Sequence, residues 1–356
     1  MSGADLLRGR LKTLVQNLTA RLVSSDMTGG EARNARRHVL AITLTKIADG
    51  LIDPKLVLSW LLGILGAPAV FVGLLVPIRE AGALLPQLVF GARMQRLRQR
   101  RWVWVAGSAV QGSAAVLIAG AALVLEGWPA GFVICALLAV LALARAACSV
   151  SYKDILGKTV GQSRRGAVTG LGGSVSAAAV LVFAGLLLTG VLQTRVAIVG
   201  AIGVAALAWG LAAIILAQLN EDDSRPETAS AARGYLAILR NDANLRRFIL
   251  VRGLLVSTAL APPYLVLLSA QGGAALNTLG ALVLASSGAS FLSSYLWGRM
   301  ADRHSPKVLL LAGVGAGCAM LAAIFAEGLG LASNPGVIPA ILFALMLAYH
   351  GGRQAR

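Results

Sequence analysis

Ten apolar runs of roughly 20 residues, each able to cross about 30 Å of hydrocarbon at about 1.5 Å per helical residue, leave this chain little choice of solvent. They lie near 39–64, 68–91, 102–125, 129–149, 167–189, 196–218, 247–269, 274–297, 307–326 and 335–351. Apolar residues make up 57% of the chain and charged residues 13%, a balance that no water-soluble domain of this size carries. The expected class is an all-α integral membrane protein. Cys135, Cys148 and Cys318 all fall inside apolar runs, which supports neither a disulfide framework nor a cysteine metal site.

Lys and Arg are distributed on one side only. Of the 32 basic residues, 26 sit in the N-terminal tail, in the connections after spans 2, 4, 6 and 8, or at the C-terminus, whereas the connections on the other side hold Arg195 alone. By the positive-inside rule the N-terminus is cytoplasmic. The net charge of +17 is then a topology signal and requires no nucleic-acid partner. Before the first span, Leu7, Leu11, Leu14, Leu18 and Leu22 recur at helical spacing with Arg8, Arg10, Lys12 and Arg21 on other faces. That pattern predicts an interfacial amphipathic helix on the anionic leaflet, not a signal peptide, which needs an uninterrupted apolar core.

Two short stretches repeat. Gly91-Ala-Arg-Met-Gln-Arg96-Leu-Arg-Gln-Arg100 and Gly298-Arg-Met-Ala-Asp302-Arg303-His-Ser-Pro-Lys307 each join two apolar runs, 207 residues apart. Such a period points to two related halves. The polar stretch at 219–245, with its Glu221-Asp-Asp-Ser-Arg-Pro226 run, breaks any helix and reads as a linker. The expected organisation is a cytoplasmic segment at 1–38, a six-helix bundle at 39–218, the cytoplasmic linker, and a four-helix part of a second bundle at 246–356. Carrying the repeat forward puts the end of a full second half near residue 425. Spans 11 and 12 are therefore expected to be missing from a sequence that ends at Arg356.

On these residues the chain resembles the major facilitator superfamily of secondary transporters. Gly298-x-x-x-Asp302-Arg303-x-x-x-Lys307 matches that family's signature loop, including its place after the second helix of a half. The first copy is degenerate, with Gly91, Arg96 and Arg100 matching and Gln95 standing where the family has Asp. The stretch from Arg145 through Tyr152, Lys153, Asp154 and Lys158 to Arg164 and Arg165 is similar to a bacterial subgroup, whereas Gly170-Leu-Gly-Gly-Ser174 lacks the Gly-Pro step of the antiporter motif. The resemblance implies two six-helix bundles around a central cavity, open alternately to each side, in a monomer of the bacterial inner membrane. It implies a gating role for the signature residues.

The sharpest functional signal is charge where hydrocarbon is expected. Lys46, Asp49, Asp53, Lys55, Arg79 and Glu80 fall in spans 1 and 2, and six charges facing lipid would cost roughly 15 to 20 kcal/mol on insertion scales. They must face inward. Three acids and three bases permit a neutral network, and equal depth pairs Asp53 with Arg79; Lys46 and Asp49, at i and i+3, can pair locally. One reading is a structural ion-pair network. The other places Lys46, Asp49, Asp53, Arg79 and Glu80 at the transport cavity, with a carboxylate carrying protons and Arg79 anchoring an anionic group. Arg145 and Arg252, near cytoplasmic helix ends, read as snorkelling side chains, and Pro262-Pro263 is expected to kink span 7.

Gly157-Lys158-Thr159 does not form a phosphate loop, because Tyr152 stands where the earlier Gly is required. His38, His304 and His350 are scattered, and no nucleophile–base pair or metal cluster emerges, so neither an enzyme nor a cofactor or metal is expected. The expected function is proton-coupled secondary active transport of a small solute. A passive facilitator and a non-transporting receptor or scaffold with the same fold are the alternatives.

Overall fold

The computed structural model describes residues 29–94, 96–189, 194–223, 241–271 and 277–354. The amphipathic segment before residue 29, Gln95 and most of the linker lie outside the described residues. The α-helices bounded among the described residues are α1 Gly29–Leu51, α2 Val57–Ile64, α3 Ala69–Leu84, α4 Gln87–Met94, α5 Arg101–Val124, α6 Gly127–Thr159, α7 Arg165–Leu188, α8 Arg195–Ala217, α9 Ala243–Val256, α10 Ala261–Gln271, α11 Asn277–Gly328 and α12 Val337–Gln354. Among the described residues seven helical segments are long and apolar enough to cross a membrane, and two shorter apolar helices, Leu279–Ser293 and Val337–Gly351, join them. The charged first span, broken into α1 and α2, brings the number to ten.

Proline explains most of the breaks. Pro54 lacks an N–H and disfavours helical backbone at Asp53, so α1 stops at Leu51 and α2 restarts at Val57. The freed groups are met locally. The Asp53 carbonyl accepts from Leu56 N at 3.4 Å and Leu58 N at 3.1 Å, its carboxylate accepts from Lys55 N at 2.7 Å, and Ser59 Oγ donates to Pro54 O at 2.8 Å. Span 7 breaks in the corresponding place. α9 passes into a 3-10 turn, Ser257–Leu260, and α10 begins at Ala261, with Pro262 and Pro263 in the first turn, where missing N–H groups are harmless. The expected kink is thus a full break. Asp53 and Leu260 are separated by the same 207-residue period as the basic loops.

α11 is helical through 52 residues with Pro306 inside it, although a loop was expected between spans 8 and 9. It nevertheless doubles back. Trp297 Nε1 donates to Leu347 O at 2.9 Å, while a Cβ at Gly315 would lie 3.5 Å from Ala348 Cβ. A straight helix would set residues 18 positions apart at about 27 Å, yet their partners are neighbours on α12. Spans 8 and 9 therefore remain two crossings. In the first half α5 packs on α6 and α8, α1 on α7 and α8, and α3 on α6, around the fully buried Trp209, Leu138 and Ile134. α7 meets α11 across the halves so closely that a Cβ at Gly280 would lie 2.5 Å from Leu188 N.

Candidate functional site

At mid-depth one carboxylate holds two cations. Asp49, on α1, accepts from Arg79 Nη2 of α3 at 2.9 Å and pairs with Arg145 Nη2 of α6 at 2.5 Å. Arg79 thus meets an acid one helical turn before Asp53, the partner expected from depth. The first helix ends at Leu51 and residues 52–56 form a hydrogen-bonded turn, so Asp49 is the acid that the helix itself presents to Arg79, whereas Asp53 lies beyond the helix end. Asp53 is occupied by the backbone of its own turn. Arg145 does not snorkel away; it closes the network. Arg252 has no described side chain.

A second cluster crosses between the halves. Lys55 Nζ lies 3.5 Å from Glu80 Oε1 and 4.1 Å from the ring centroid of Tyr349 on α12, within the range of a cation–π contact. Tyr349 OH donates to the same Glu80 oxygen at 3.4 Å. Lys46 is near the first cluster, sharing a cavity wall with Arg145, but makes no ion pair within 4.0 Å among the described residues. Lys46, Lys55, Arg79 and Arg145 therefore face Asp49, Asp53 and Glu80. The expected neutral network carries one surplus positive charge, because Arg145 belongs to it.

The basic end of the first bundle holds another network. Glu221, taken from sequence as the start of a linker, is buried against the N-terminus of α5, where its two carboxylate oxygens accept from Arg100 N at 3.1 Å and Arg101 N at 2.7 Å. A carboxylate there satisfies orphan donors and complements the helix dipole. Lys158 Nζ lies 3.3 Å from Glu221 and 2.7 Å from Asp154, which also pairs with Arg100 at 2.5 Å. The Arg101 guanidinium donates to Leu219 O. Of the first signature copy, Arg100 is thereby built into the network and Arg96 is exposed. Gly91 is not needed for a close approach, since a Cβ would meet only Val150 Cγ1 at 4.0 Å. In the second copy Lys307 is exposed on α11, while the side chains of Gly298, Asp302 and Arg303 lie outside the described residues.

Beside this network His38 is fully buried, stacked on Trp104 with ring centroids 5.7 Å apart. Thr159 Oγ1 gives its hydrogen to Ile155 O at 2.7 Å, so His38 Nε2 is the donor in their 2.7 Å contact. His38 Nδ1 is buried without a partner, and burial pulls the imidazole down to about 4.

Sequence reasoning missed Asp154, Lys158, Glu221, Arg145 and Tyr349 as members of these networks. Asp154 and Lys158 carry a visible i, i+4 signal, and Arg145 an apolar surrounding that marks it as paired. Tyr349 had none, because its partner Glu80 is 269 residues away.

A model of the Major Facilitator Superfamily matches residues 39–352. No curated protein sequence matches the chain significantly. Among solved structures, a point mutant of the nucleoside transporter NupG is similar at a TM-score of 0.67 and 12% identity, covering 90% of this chain and 80% of its own. The xylose transporter XylE from E. coli, in a partially occluded inward-open conformation, gives 0.59 and 13% over 90% of this chain and 85% of its own. An inward-facing bacterial homologue of the lysosomal transporter Spinster gives 0.55 and 12%, over 92% and 74%.

Proposed function

Because this chain belongs to the major facilitator superfamily, we propose that it is a secondary active transporter, coupled to protons, that moves a small solute across the cytoplasmic membrane by alternating access. Its basic end faces the cytoplasm, as the Lys and Arg distribution requires. The observation that carries this reading is the Lys55–Glu80–Tyr349 cluster, since it joins a titratable acid of one half to a helix of the other. A proton on Glu80 removes the charge that holds Lys55 and weakens the contact across the junction. Proton loading and the relative position of the halves are thus linked in one set of side chains, as coupling demands. Asp53, held by its own backbone turn, keeps the helix break in shape.

The test is uptake into proteoliposomes under an imposed pH gradient, comparing wild type with Glu80→Gln and Asp53→Asn. Glu80→Gln should abolish gradient-driven accumulation while leaving solute equilibration intact. Asp53→Asn should retain the gradient dependence. Unchanged gradient dependence in both variants removes proton coupling through these acids.

A further inference from the structure

We infer that a cavity of about 230 Å³ between α1, α5, α6 and α7 receives a small anionic group, a carboxylate or a phosphate, on the transported solute. This rests on the transporter reading above and names the class of its substrate. Lys46 and Arg145 are the two charges of the cavity wall, and Thr45, Ser149, Tyr152 and Thr169 add hydroxyl groups; no carboxylate lines it. Two of these side chains carry positive charge and Thr45, Ser149 and Tyr152 can donate a hydrogen bond, while Thr169 gives its hydrogen to Gly166 O at 3.0 Å; charge and hydroxyl donors together are what an oxyanion requires.

Three further observations agree. The mid-depth network has one cation more than it has acids, and a surplus charge in a low-dielectric bundle calls for a counter-ion from outside. Of the four cations of that network Lys46 is the one with no acid within 4.0 Å among the described residues, and its ammonium lies beside Gly173 of α7, where a Cβ would come within 3.0 Å of Nζ. Thr45 Oγ1, on the same wall, is buried without a hydrogen-bond partner. Arg79, the anchor expected from sequence, does not line the cavity and its Nη1 is shut away from solvent, whereas Arg145 reaches the cavity wall while paired with Asp49. The volume is below the roughly 300–1,000 Å³ of sites for drug-sized ligands. It suits one charged group of a solute whose remainder extends elsewhere.

The test uses the purified full chain and its thermal unfolding in sodium phosphate and in sodium citrate, against sodium chloride at equal ionic strength, with uncharged xylose and uridine alongside. Phosphate or citrate should raise Tm saturably. Lys46→Gln should weaken that apparent affinity at least tenfold and Lys46→Arg should restore it. No saturable rise with either anion, or an equal rise in Lys46→Gln, overturns the anion site. Proteoliposome uptake separates the two readings. Accumulation of xylose or uridine without an anion response keeps the transporter and discards its anionic substrate. A Lys46-dependent anion response without uptake of that anion keeps the site and discards transport.

Discussion

At the basic end of the first bundle, Glu221 and Asp154 each hold more than one partner: two backbone N–H groups and Lys158 on the first, Arg100 and Lys158 on the second. At mid-depth Asp49 alone serves two guanidiniums while Lys46 has no acid within ion-pair distance. The same residue types thus make opposite kinds of network within one group of helices. The first stitches α5, α6 and the end of α8 together through backbone groups that cannot leave. The second is made of side chains that can exchange partners, which is what the proposed anion site requires. Anchorage to backbone, more than the number of charges, distinguishes the fastening from the proposed working site.

Removing one acid from each network sharpens that contrast and should produce the largest effect. Asp49→Asn strands Arg79 and Arg145 together in a low-dielectric interior, with an expected loss of about 3 to 5 kcal/mol, the range for breaking a buried pair. Glu221→Gln keeps an amide oxygen that still accepts at the start of α5, so its expected loss is about 1 to 3 kcal/mol. Thermal or denaturant unfolding in detergent measures both. Equal losses would erase the distinction between the networks. Added phosphate or citrate should recover stability in Asp49→Asn and not in Glu221→Gln, because only the first leaves uncompensated charge beside a cavity.

The spans were legible in sequence because apolar length is set by the bilayer, and the inward-facing charges because exposing them to lipid is expensive. Their pairing was not. Counting residues along 39–64 assumed one continuous helix, and the break around Pro54 takes Asp53 out of the helix and leaves Asp49 to meet Arg79. The chain is also already helical at Gly29, the first described residue, well before the first apolar run. Glu31 accepts from Gly161 N at 2.9 Å, and Asn34 exchanges hydrogen bonds with Asn220 at 2.9 and 3.2 Å. Hydropathy does not register such contacts between segments more than 100 residues apart. Glu221 was read correctly as ending a helix, but nothing nearby in sequence announced that it starts another.

A middle-sized effect separates the two regions by pH. His38 belongs to the basic end and is neutral because burial has lowered it from 6.5 to about 4. The unfolded chain therefore binds its proton first as pH falls, so stability is full above about 6.5, declines toward 4 and levels off below. At pH 5 the expected loss is about 2 kcal/mol. His38→Gln, which retains a donor toward Thr159, should flatten the stability profile between pH 7 and 5. If the slope survives in that variant, the acid sensitivity belongs to another group.

The smallest change in stability should come from Tyr349→Phe, which tests the working side of the comparison. The ring that lies 4.1 Å from Lys55 Nζ is kept, and one long hydrogen bond of 3.4 Å to Glu80 is lost. A bond of that length contributes at most about 1 kcal/mol, so Tm should scarcely move. Uptake should respond nevertheless, because the hydroxyl is the donor through which the second half touches the proposed proton carrier. The expected result is an altered pH profile of accumulation with unfolding unchanged. An unaltered pH profile would make the junction a packing contact and place Glu80 with the fastenings, like Glu221 at the other network.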